Sequence, residues 1–166
     1  MVKSTNPNFL SPLSYRFMLT RTPNLNFNIQ SVRLPGITLS AVETATPFVS
    51  IPSSGKITYS PLSISFRVAE DMNDYLEIHN WMVGLGAPSN FTEYVNLQTS
   101  TAGIYSDATL IINNSRRLGN ISAKFIRLFP IDLSDLQFTT MDTDVNYIEC
   151  TANFRFLSYE ISVLKT

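Results

Sequence analysis

The tightest constraint on this fold lies in Tyr147–Leu157, where Ile148, Cys150, Ala152, Phe154 and Phe156 alternate with Glu149, Thr151, Asn153 and Arg155. Successive side chains of a β-strand point to opposite faces, so this stretch has one apolar face and one uniformly polar face only when extended. Such a strand needs a core on one side and water on the other, as in an antiparallel sheet with one solvated face. Leu62, Ile64, Phe66 and Val68 repeat the pattern against Ser63, Ser65, Arg67 and Ala69. Leu13, Tyr15, Phe17 and Leu19 repeat it again against Ser14, Arg16, Met18 and Thr20. Asn24-Leu-Asn follows Pro23 as a turn, and Phe27 and Ile29 open a fourth run that Val32 and Leu34 finish one residue out of phase. That slip near Ser31 marks a β-bulge or a loop.

Further strands are expected at Ala108–Asn113 and Ile121–Phe129, joined by a hairpin turn over 114–120. Pro130–Gln137 reads as a bend, Asp142–Asn146 as a second turn, and 89–107 as polar and irregular. One segment has helical spacing. Asp71 is a candidate N-cap, and Asp74 and Glu77 suit the positive end of a helix dipole. Met72, Tyr75, Leu76, His79, Met82 and Val83 follow at intervals of three and four as an apolar stripe, broadened by Ile78, Trp81 and Leu85 and stopped by Gly84, Gly86 and Pro88. The expected fold is therefore mainly β with one flanking helix, a sandwich or barrel-like single domain over 1–166. Pro7 and Pro12 make residues 1–12 an extended arm.

Residues 37–60 fit least well into a self-contained sandwich. Leu39, Phe48, Val49 and Ile51 stand there among Thr, Ser, Pro and Gly without helical spacing, and Ser53-Ser54-Gly55 resembles the tip of a long hairpin-like loop. Loops run over the surface, and apolar side chains on a surface loop need a cover. Each residue taken singly could tuck into the chain's own core; for the segment as a whole, contact with a partner is the better account.

Few residues offer chemistry. The only His, His79, sits on the helix stripe and reads as structural; no Gly-x-Ser-x-Gly elbow accompanies it. The single Cys150 alternates with core positions and reads as a small buried hydrophobe, so a Cys/His metal site is excluded. Asp142, Asp144 and Asn146 open like a calcium loop, but Tyr147 and Asn153 stand where that loop needs Gly and Glu. Asp132 and Asp135 stand in the bend that begins at Pro130, with nothing else assembled around them. We expect no catalytic, cofactor or metal site and no enzyme activity. Twelve basic against 13 acidic side chains argue against a general nucleic-acid binder. No run approaches the roughly 20 apolar residues of a transmembrane helix, and the N-terminal dozen lacks the apolar centre of a signal peptide. The expected compartment is a reducing cytoplasm, without a membrane route.

The order of elements resembles the tail-tube proteins of contractile-tailed bacteriophages, a group related in fold to the tubes of type VI secretion systems and contractile bacteriocins. The resemblance runs from about Leu13 to Ile161 and is most recognisable in Leu34-Pro35-Gly36, in Ser63–Asp71 leading through Tyr75 to Trp81, in Phe129–Gln137 and in the Tyr147–Ile161 strand. It implies subunits assembled as a homo-hexamer, with inner strands closing one shared barrel around a channel through which DNA passes without specific binding. It also implies stacked rings, sheath and baseplate partners, and a place in the virion after assembly in the host cytoplasm.

On that basis Glu149, Thr151, Asn153, Arg155, Ser63, Ser65 and Arg67 are the lumen-facing candidates, and Phe48, Val49, Ile51 and Leu39 the inter-subunit contacts of the 37–60 loop. A channel for DNA should avoid unbalanced Lys and Arg, which gain affinity for phosphate by releasing counterions. Arg67 and Arg155 would then need carboxylates nearby, with Glu149 one candidate. The expected function is a structural tail-tube subunit. The alternative is a single-ring protein that starts or ends the tube, and a monomeric β-sandwich binding module follows at greater distance.

Overall fold

The alternating segments pair into two antiparallel sheets joined by a shared strand. The computed structural model describes residues 9–45, 47–86, 91–99, 103–141 and 146–164. The elements run β1 (Tyr15–Leu19), α1 (Leu25–Asn28), β2 (Ile29–Arg33), β3 (Ile37–Thr44), β4 (Ile51–Tyr59), β5 (Leu62–Arg67), α2 (Asn73–Gly86), α3 (Phe91–Thr99), β6 (Ser106–Asn113), β7 (Gly119–Leu133), β8 (Glu149–Arg155) and β9 (Ser158–Val163).

The first half of β7 pairs with β6 and β9, with β1 beyond β6; its second half pairs with β8, followed by β5 and β2. A strand can serve two sheets only if it bends. The register between β6 and β7 slips from Ser106↔Leu128 to Ala108↔Phe125, leaving a bulge that contains Arg127 at φ 55°. Asp107 Oδ1 accepts from the Arg127 N–H at 3.2 Å, and the Arg127 guanidinium lies 4.7 Å over the Tyr105 ring, so the bend is held on two sides. Beside it, Leu157 N–H donates to Ile126 O at 3.0 Å where the chain passes from β8 to β9. Both strands therefore change sheet at the same level.

Between the sheets lie the inward positions of the sequence stripes. Leu62, Ile64 and Phe66 of β5 and Cys150, Ala152 and Phe154 of β8 are buried with Phe17, Leu19, Leu110, Phe125 and Leu128. Phe125, Phe156 and Tyr159 pack edge-on or tilted at 5.2–5.8 Å between centroids, spacings typical of favourable aromatic pairs. α2 covers the remaining opening. Trp81 sits 6.3 Å from Phe154, donates Nε1–H to Ile104 O at 3.1 Å, and carries the Arg21 guanidinium 5.0 Å over its ring.

Several expectations need correction. The buried face of α2 is Asp74, Ile78, Trp81 and Gly84, a stripe turned away from the Leu76–His79–Val83 side. Aromatic area and the tight seat for α3 decide it: a Cβ on Gly84 would come 2.1 Å from Leu97 Cδ1. His79 is exposed and stacks on Tyr75, so it is not a histidine at a helix–sheet boundary. Residues 91–99 form the helix α3, hidden in the sequence because Thr, Asn and Gln blur its apolar spacing. Asn24–Asn28 is a helical turn that leaves Phe27 exposed. Pro130 does not end a strand. β7 continues to Leu133 through a bulge between Pro130 and Asp132, and an edge segment tolerates a residue with no N–H to give. The slip near Ser31 is a bulge between Ile29 and Ser31. The first eight residues of the arm and most of the 142–146 turn lie outside the described residues.

Candidate assembly surfaces

Two surfaces stand out: the polar face of the second sheet and the β3–β4 segment. On the sheet, register aligns the polar positions into rows across the strands. Arg67 stands opposite Glu149, Ser65 opposite Thr151 and Ser31, and Ser63 opposite Asn153 and Arg33; Asn153 continues to Asp132 on β7. Ser65 and Thr151 hydroxyls share a hydrogen bond at 3.3 Å, and Asn153 Nδ2 donates to Asp132 Oδ2 at 2.9 Å.

Arg67 and Glu149 are joined through a residue the sequence did not single out. With its amide oriented to suit both neighbours, Gln30 donates Nε2–H to Glu149 Oε1 at 2.9 Å while its oxygen accepts from the Arg67 guanidinium. Tyr147 covers the same guanidinium, ring centroid 4.9 Å from Cζ. Glu149 and Arg67, which face each other in the β5–β8 register, are thus linked through Gln30. Gln30 escaped notice because it occupies the bulge, where the period-2 pattern breaks. Cys150 lies on the dry side, where burial pushes its thiol pKa up against the lowering effect of its hydrogen bonds with Ser134.

The long hairpin-like loop expected over 37–60 is a pair of strands for most of its length. β3 and β4 form a two-stranded ribbon that prolongs the β2–β5 pair beyond the sandwich, with Ser60 N–H to Gly36 O at 3.0 Å bridging the two parts. Strand β4 runs straight through Ser53-Ser54-Gly55, so the tip lies further out, between Thr44 and Ile51. Pairs Ile37↔Tyr59 and Leu39↔Ile57 place four apolar side chains together near its base. Tyr59 anchors that base by packing 5.6 Å from Phe156 and 5.5 Å from Tyr159. The apolar side chains further out are largely exposed. Phe48 is 95% exposed, and Leu39, Val42, Val49 and Ile51 are all more than half exposed. None of these tucks into the chain's own core.

Close approach of the two ribbon strands depends on Gly55. A Cβ there would lie 2.5 Å from Ser40 Oγ and 2.8 Å from Ser40 O, in the bulge where the Ser40 hydroxyl accepts from Lys56 N–H at 2.8 Å. Gly55→Val is expected to part the strands at that point. Hydrogen exchange should then speed up by at least tenfold at 38–44 and 51–57, while the melting temperature of the sandwich stays within about 2 °C.

Comparison with known proteins shows which fold this geometry is. No family model matches the chain. A sequence relative, the tail tube terminator protein of Enterobacteria phage T4, is 25% identical over 144 residues, covering 84% of this chain and 80% of that protein. Among solved structures, the sheath–tube complex of the PVC extracellular contractile injection system contains a chain that superposes with a TM-score of 0.64 at 9% identity, over 95% of this chain and 94% of that one. The tube-terminating cap of the anti-feeding prophage contains another, at a TM-score of 0.62 and 12% identity, over 98% and 97%. This is the contractile tail-tube fold. The PVC sheath/tube terminator shares it too, with a TM-score of 0.60 at 12% identity over 95% of this chain and 99% of that one. The likeness to contractile tail-tube proteins thus spans both sheets, the ribbon and the helices. Among the described residues no helix is long and apolar enough to cross a membrane.

Proposed function

We propose that this chain is a non-enzymatic structural component of a contractile phage tail, forming the ring that ends the inner tube. The observation that carries the choice is the relationship to the T4 tail tube terminator over most of both chains. It favours the tube-ending alternative over the repeating tube subunit expected from sequence alone. Copies stand in a ring of six with the polar face of the second sheet turned to the channel. Ser63, Ser65, Thr151 and Asn153 offer passing DNA uncharged hydrogen-bonding groups, and Glu149 with Gln30 occupies Arg67. Arg33 and Arg155 are the cations of that face without a carboxylate partner among the described residues, so counterion release is confined to them and the rest of the wall lets the polyanion slide. The ribbon, with Leu39, Phe48, Val49 and Ile51, reaches onto neighbouring copies, and the outer surface meets the sheath and its neighbours at the tube's end.

Electron microscopy of the purified protein mixed with growing tail tubes tests this reading. The expected result is a single added ring at one end and arrest of elongation at substoichiometric protein. Long tubes built from this protein alone would return the assignment to the repeating subunit.

A further inference from the structure

The second sheet ends in two open edges whose charges are opposite. Its strands run β7, β8, β5, β2, each antiparallel to the next, so β2 has a partner on one side only and so does the Phe129–Leu133 half of β7. Unpaired edges invite another strand. With four alternating strands the outer two run in opposite directions. When copies related by rotation about an axis along the strands stand side by side, β2 of one lies antiparallel to β7 of the next, and the ladder continues without a reversal.

One row of this sheet reads Arg33, Ser63, Asn153, Asp132 from edge to edge. Arg33 is exposed on β2, and among the described residues its guanidinium has no carboxylate partner; the only ion pair there is Lys124–Asp107 at 3.8 Å. Asp132 is exposed on β7 and holds only the neutral Asn153 amide. The upper end of β2 is already occupied, since Tyr15 Oη donates to Gln30 O at 2.5 Å, and this leaves Ser31–Arg33 as the free stretch.

We infer that the seam between copies is β2 of one chain against the Phe129–Leu133 segment of β7 in the next, in the register that sets Arg33 of one copy against Asp132 of its neighbour. The partner is a second copy of this chain, and the inference rests on the ring reading proposed above. The pairing answers two needs at once. It covers the free stretch of β2 and the open edge of β7 on either side of Pro130, and it removes a free cation from the polar face, since each Arg33 gains a carboxylate across the seam. A stagger of a single residue would turn Arg33 towards the dry face of the neighbouring strand, so charge and pleat select the same alignment.

Charge exchange at the two positions separates the possibilities. Ring formation is followed by sedimentation velocity and negative-stain microscopy, with circular dichroism melting to confirm the fold. R33E alone and D132R alone are each expected to cut ring yield at least tenfold, and R33E/D132R together to recover most of it. A second variant, Arg33→Cys with Asp132→Cys, should give an oxidised ladder of multimers that closes at the size of the ring, the native Cys150 being buried. Wild-type rings that the single exchanges leave intact, or a double exchange that restores nothing, would overturn this seam while leaving the ring reading in place. A wild-type protein that forms no ring under any condition would remove both.

Discussion

Replacing Phe48 and Ile51 together with Ser is expected to leave the monomer folded and to abolish its assembly. Phe48 is 95% and Ile51 55% exposed at the outer end of the β3–β4 ribbon, so neither supports the sandwich core. In a monomer the substitution removes apolar surface from water and should not lower the melting temperature. In an assembly that buries both side chains, Phe48 represents about 1.5–3 kcal/mol of transfer free energy and the half-exposed Ile51 about half of that, roughly 2–4.5 kcal/mol for each ribbon contact. At about 1.4 kcal/mol per tenfold, every contact weakens by roughly one and a half to three orders of magnitude. A closed ring repeats that loss at every seam, so its yield should fall below detection. Sedimentation velocity reads the assembly, and a thermal melt shows that the fold is unchanged. Unaltered ring or cap formation would mean that the ribbon tip is not the contact.

The second large effect lies in a carboxylate that sequence reasoning assigned only to the helix dipole. Asp74 is fully buried at the start of α2. Its Oδ2 accepts from Ala69 N–H at 3.1 Å and from Asn28 Nδ2 at 3.0 Å, and its Oδ1 from Tyr75 N–H at 2.9 Å. One side chain therefore ties the helical turn α1, the loop after β5 and the first turn of α2. Asp74→Ala leaves three donors without their acceptor, each a desolvation cost of order 1–3 kcal/mol before relaxation. Allowing for water entering the site, we expect a loss of about 3 kcal/mol, which for a domain of this size lowers the melting temperature by roughly 6–12 °C. Asp74→Asn should recover little, because its amide nitrogen brings a donor to a place already crowded with them. A calorimetric melt decides; a shift under 2 °C would show that Asp74 is not the tie.

These two sites illustrate different degrees of legibility. The exposed apolar tip was visible because nothing in 37–60 matched a strand or helix able to bury Phe48, Val49 and Ile51 internally. That the segment is a ribbon continuing β2 and β5 was not visible, since its strands are apolar on neither face for long and a bulge at Ser40 and Gly55 breaks their period. Asp74 was misjudged for a related reason. A dipole argument places acidic groups at a helix start but does not say which of them will be sealed under a neighbouring turn. The same limit explains the rotated face of α2, where spacing allowed two stripes and the position of Phe154 and α3 selected the one carrying Trp81.

Alternation along the chain was enough to determined strands β5 and β8, their dry and wet faces, the burial of Cys150 and the presence of a polar sheet surface, because a period of two leaves a strand no freedom over which side faces the core. Tertiary structure alone decided which polar residues stand in one row, that Gln30 links Arg67 to Glu149, and that Arg33 and Asp132 end on opposite open edges. Those relations join residues as far apart in sequence as Arg33 and Asn153. They depend on strand order and on bulges, and a local pattern carries neither.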